Sequence, residues 1–181
     1  MPSKHRTHLL SAAIIAVLPT LLIACNSPAS QCRQVADTIR QAQSARETFA
    51  TDIEAAQIKV SGAQTIEDVK AAATDYIAAV RSVNQGLEKT LQALGNINTE
   101  DPQLNEYRES YIITLNGSKT ALATAGDAMK LVLEAKDEDA LRSVFATHQT
   151  KSDRAYGDIL AQDAKEAALI DQINAYCSQT P

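Results

Sequence analysis

A chain of 181 residues with 45% hydrophobic and 22% charged side chains has the composition of one foldable domain, which excludes a disordered or low-complexity protein. Its 17 basic and 22 acidic residues give a formal charge of −5, so no basic stripe is available to a nucleic-acid backbone. With no Trp, five Pro and six Gly, the chain lacks the turn punctuation of an all-β fold or a loop-built α/β site.

The first 24 residues read as a signal peptide. Met1 to His8 contains Lys4 and Arg6 and no acid, and an apolar run from Leu9 to Ile23 follows, which is the layout of a secretory signal. That run is 15 residues long with Pro19 inside it, short of the roughly 20 that cross a bilayer. Its end, Leu22-Ile23-Ala24-Cys25, resembles a bacterial lipobox, with an aliphatic residue at −3, a small one at −1 and then a cysteine. The resemblance implies cleavage before Cys25, lipidation of Cys25 and a membrane anchor. Removing residues 1–24 leaves 157 residues with a formal charge of −7. An acidic body is repelled by anionic lipid, so the acyl chains would hold it to the membrane. Asn26 after the cysteine is similar to the outer-membrane sorting class of enterobacterial lipoproteins, a rule that varies among bacteria, and either membrane stays open.

Residues 25–30 form a short lipidated tether, and a bundle over 31–178 follows. The first stripe, Cys32, Val35, Ile39, Ala42, Phe49, Ile53, Ala56 and Val60, has the three-and-four spacing of an amphipathic helix over about 31–60. Thr65 with Asp68 approximates a capping box for a helix over about 66–95, whose stripe is Val69, Ala73, Tyr76, Val80, Val83, Leu87, Leu91 and Leu94. Gly95-Asn96 offers a stop, and Asp101-Pro102 an N-cap with proline at the first helical position. The third stripe, from Leu104 through Tyr107, Tyr111, Leu115, Ser118, Leu122, Ala125 and Met129 to Val132, predicts a helix over about 102–135. Asp137 caps the fourth, over about 138–178, on Leu141, Phe145, His148, Ser152, Ala155, Ile159, Gln162, Glu166, Leu169, Ile173 and Tyr176. One unbroken helix is expected there, a break near 149–153 being the alternative. No segment alternates with period two, so no strand is predicted.

Helices of about 30 to 40 residues, roughly 45 to 60 Å long, joined by short turns must run antiparallel. The expected fold is all-α, an up-down-up-down four-helix bundle whose alanine-rich core is thin. In it the first and last residues share one end with the turn at 96–101. Cys32 and Cys177 lie there and are the two cysteines left after Cys25, so a disulfide is predicted. Residues 61–64 and 136–139 form the opposite tip, where Glu134, Asp137, Glu138 and Asp139 gather. That acidic cluster lacks the glycine and distal glutamate of a calcium loop and reads as solvated acids at a helix start.

The residues for chemistry are sparse. His148 is the one histidine after the signal peptide, and Phe145 rather than glutamate stands three residues before it, so the di-iron pattern is missing. A haem held by His148 and Met129 is disfavoured because their offsets from the Lys136 turn differ by about one helical turn. Serine and threonine have no evident base. No catalytic residue, metal site or cofactor is therefore assigned, and the chain is read as a non-enzyme. Tyr76, Tyr107, Tyr111 and Tyr176 sit on stripes, where packing with a hydrogen-bonded hydroxyl is the usual role.

The lipobox, Gln31-Cys32, Tyr176-Cys177 and the stretch from Leu91 to Tyr107 together resemble small helical lipoproteins of cyanobacteria and other diderm bacteria that have no assigned activity. In architecture alone the chain is also similar to lumenal lipoproteins that assist photosystem II assembly. The expected function is a membrane-anchored, non-enzymatic interaction or assembly module on the periplasmic or lumenal side of a membrane of the cell envelope. Its expected partners are the membrane, through the N-terminal lipid, and an envelope or membrane protein, with no nucleic acid. The alternative is a periplasmic sensor or small-ligand-binding bundle.

Overall fold

The computed structural model describes residues 27–179, so the segment 1–24 read as a signal peptide, the expected lipidation site Cys25 and Asn26 lie outside the described residues. Four helices fill this range: α1 (Pro28–Ser61), α2 (Ile66–Asn96), α3 (Pro102–Glu134) and α4 (Glu138–Ser178). Among the described residues there is no strand, and the helices pack as a four-helix bundle.

Local chemistry sets the helix ends. Helix α1 starts at Pro28, earlier than the stripe alone suggests, because the Ser27 side chain accepts from Ser30 N–H at 3.2 Å and proline occupies the first turn. Thr65 and Asp68 form a complete capping box at α2, and Asp101 and Asp137 cap α3 and α4. Helix α2 ends at Asn96 as expected, but not through a left-handed glycine, since no described residue has positive φ. Arg108 of α3 instead reaches back, its Nη1 donating to the Leu94 and Ile97 carbonyls at 2.8 and 3.1 Å. A cation on the last carbonyls of a helix replaces the cap. Helix α4 is one unbroken helix of 41 residues, and the break near 149–153 does not occur.

The core follows the stripes. Val35, Leu87, Leu94, Leu104, Tyr111, Leu115 and Ile173 are buried in one cluster that is densest toward the end carrying Cys32 and Cys177. Those two cysteines are bonded, with Cα atoms 5.6 Å apart. At the same end Glu100 N–H donates to Gln31 Oε1 at 3.0 Å, the Tyr176 hydroxyl donates to Asp101, and Tyr107 meets Tyr176 edge to face. The start of α1, the end of α4 and the α2–α3 turn are thus stitched together, as the antiparallel topology requires.

Two mid-helix glycines carry opposite predictions. A Cβ added at Gly86 would lie 2.8 Å from the Ala45 Cβ, so α2 and α1 approach closely there. Gly157 has nothing within 4 Å of the same position and sits on an exposed face of α4. Gly86→Ala is expected to destabilise by about 1 kcal/mol, overpacking outweighing helix propensity, while Gly157→Ala stabilises by about 1 kcal/mol. Urea denaturation checks this, and shifts of the same sign would contradict it.

The hydrogen bond from Tyr176, with a second from Leu104 N–H, holds the Asp101 carboxyl below the usual carboxylate range. Its contribution is present above the unfolded value, about 3.9, and is lost as pH falls through the lower folded value. Asp101→Asn is expected to flatten the fall of the melting temperature in acid, and a fall identical to that of the unaltered protein would contradict it.

Candidate functional site

Three of the four seams between neighbouring helices are closely packed, but α1 and α4 approach each other at few points, one of them the disulfide. Away from that bond the seam is bridged by charge. The Arg46 guanidinium of α1 crosses to α4, with Nη1 2.6 Å from Asp163 Oδ1 and Nη2 paired with Glu166. Nη2 also donates to Ser118 Oγ of α3 at 2.9 Å. The Glu166 carboxylate is buried and accepts a further bond at 2.7 Å from the hydroxyl of Tyr111, which is itself buried. Burial first, and then the bond to Glu166, push the Tyr111 phenol far above the ordinary tyrosine range, so it stays a proton donor to the carboxylate.

These residues stand in the stripes. Position 46 continues the alternation after Ala42 and before Phe49, and it is charged. Ser118 is a polar member of the third stripe and Glu166 one of several polar members of the fourth, and with Arg46 they meet in one layer. Ser118 and Glu166 belong to the predicted stripes, whereas Arg46 does not, although its place in the gap of the first stripe between Ala42 and Phe49 is a signal for it.

Two cavities lie along the same seam, walled by α1 and α4 and floored by α2 and α3. One, of about 380 Å³, surrounds the Arg46 bridge and includes Phe49, Ile159 and Ile170. The other, of about 570 Å³, is nearer the tip, is mostly apolar, and is lined by Val60, Tyr76, Met129, Val132, Phe145 and His148 among others. Phe145 belongs to the apolar stripe of α4 and is nevertheless 60% exposed, and Val60 of the α1 stripe is 51% exposed. Their faces are apolar, but none of the four described helices covers them. The alanine-rich core is thin as predicted, but the separation of α1 from α4 leaves the bundle open here.

His148 lies beside Ser152, its Nε2 3.4 Å from the hydroxyl, and tilts against the Phe145 ring. It shares the tip groove with Met129. The acidic residues of the tip are used locally: Asp137 accepts from Ala140 N–H at 2.8 Å and Asp139 pairs with Arg142. Among the described residues no group of three or more His, Cys, Asp or Glu side chains is placed to hold a metal ion. No described helix is long and apolar enough to cross a membrane.

No protein-family model, curated protein or solved structure matches this chain. The site must therefore be read from its own residues. It offers an apolar groove crossed at mid-height by an ionic bridge whose Glu166 end is buried, and a covalently closed end that gathers the start of α1 and the end of α4.

Proposed function

We propose that this protein is a membrane-anchored, non-enzymatic lipoprotein that serves as an interaction or assembly module on the periplasmic or lumenal face of a membrane. The observation that carries the reading is the asymmetry of the rod. Ser27, two residues after Cys25, stands at the end closed by the disulfide, whereas the open apolar groove runs toward the other end, one helix length of about 50 Å away. Acyl chains on Cys25 would hold the closed end at the lipid surface and present the groove to the envelope. Exposed apolar area of this kind marks interaction surfaces more often than solvent faces.

The test is crosslinking of the full chain in its native cells, with Cys25→Ser as the unanchored control. Membrane association and capture of one recurrent membrane protein, both lost with Cys25→Ser, are the expected result. Membrane association unchanged by Cys25→Ser would contradict the reading. The polar wall of the 380 Å³ cavity favours a second reading, a periplasmic sensor of small ligands. A rise in melting temperature with one member of a metabolite panel, absent with Arg46→Met, would support that reading instead.

A further inference from the structure

Two features of the α1–α4 seam point to the chemistry of its occupant. The first is apolar content: Val60, Phe145, Tyr156 and Leu160 are four of the six large hydrophobic side chains exposed among the described residues. Val60 and Phe145 line the tip cavity, and Tyr156 and Leu160 share a ridge of α4 with Asp163 and Ala167, which line the other. The second is charge. Gln43 and Ala50 of α1 line one cavity and Gln57 and Ser61 the other, and Glu47 and Glu54 lie between them on the same ridge. Both glutamates are exposed, and among the described residues neither is paired with a cation. Arg46, the one cation among the described residues that line either cavity, is already engaged by Asp163 and Glu166.

From Leu141 to Ile170 the α4 wall runs about 44 Å, long enough for a helix of several turns and for the roughly 800 Å² per partner of a standard interface. A groove with an apolar floor and walls formed by two helices suits a third helix. We propose that the α1–α4 groove binds an amphipathic helix of a partner protein, its apolar stripe against Phe145 and Val60 and its lysine or arginine side chains against Glu47 and Glu54. The proposal deepens the interaction-module reading and rests on it. The two fail separately, because anchoring through Cys25 is read by fractionation and groove chemistry by the binding assay below.

The probe is a synthetic three-heptad helix with leucine at a and d, lysine elsewhere and one tryptophan, against an analogue with glutamate in place of lysine. The protein has no Trp, so indole fluorescence reports the peptide alone. The assay uses the full chain carrying Cys25→Ser, which removes acyl chains that would compete for the groove. Saturable binding of the lysine helix, at least about tenfold weaker for the glutamate helix, is expected. Glu47→Gln with Glu54→Gln is expected to weaken the lysine helix about five- to tenfold. Glu106→Gln with Glu134→Gln, the same change of net charge on α3, is expected to leave it within about twofold. Phe145→Ser, at an exposed position, is expected to weaken both peptides. Equal losses from the two charge pairs would reduce the effect to bulk attraction and overturn the proposal. So would saturable uptake of palmitate without peptide binding, or self-association of the chain that Phe145→Ser abolishes and the peptide does not compete.

Discussion

Cleaving the Cys32–Cys177 bond is expected to lower the unfolding free energy by up to about 5 kcal/mol, the chain-entropy value for a loop closed across 145 positions. The loop includes nearly the whole bundle, so the bond restrains the unfolded chain more than a short-range bridge would. It also acts locally, because α1 and α4 have few other close approaches. Reduction is therefore expected to raise amide exchange first in the last turns of α4 and the first turns of α1, with the α2–α3 core protected. Tyr176 to Asp101 and Gln31 to Glu100 continue to hold that end, which keeps the reduced protein folded at room temperature. Denaturation of Cys32→Ser with Cys177→Ser checks the magnitude. A change below about 1 kcal/mol would show that the bond adds little to an end already held by its polar contacts.

Arg46→Ala is the second large effect, an expected loss of about 3 kcal/mol. Removing one partner of a buried ion pair leaves the other charge without compensation, and Glu166 is the more enclosed of the two, at 6% side-chain exposure against 23% for Arg46. The partial exposure of Arg46 places the loss at the lower end of the range for buried pairs. Tyr111 still donates to the stranded carboxylate and limits the damage. Adding Glu166→Leu to Arg46→Met removes both charges and is expected to recover most of the loss, since well-packed apolar residues often replace buried pairs at no cost. A double-mutant cycle in which the two effects simply add would contradict a direct pairing.

Helix periodicity made most of the architecture legible. The stripes of α2 and α3 are buried or half-buried throughout, and the caps at Thr65, Asp101 and Asp137 start the helices where the sequence suggests. The disulfide followed from topology, because an even number of antiparallel helices returns Cys177 to Cys32. What the sequence left out is what covers each stripe. Periodicity identifies an apolar face but not the neighbour against it, so Phe145 and Val60 looked like core and stand at an open groove. Charged residues read as solvated faces, which hid Arg46 inside the first stripe and Arg108 at the end of α2. Arg46 finds its partners on α3 and α4, and Arg108, besides Asn105 and Glu109 on its own helix, reaches the Leu94 carbonyl of α2, at separations no local pattern encodes.

The most direct test of an anchored module is the intact mass of the protein purified from its native membranes. The lipoprotein reading predicts a chain that begins at Cys25, carries the added mass of its acyl groups on that residue, and is two hydrogens lighter than its fully reduced form. A chain that retains Met1, or one that begins at Cys25 without acyl mass, would contradict it.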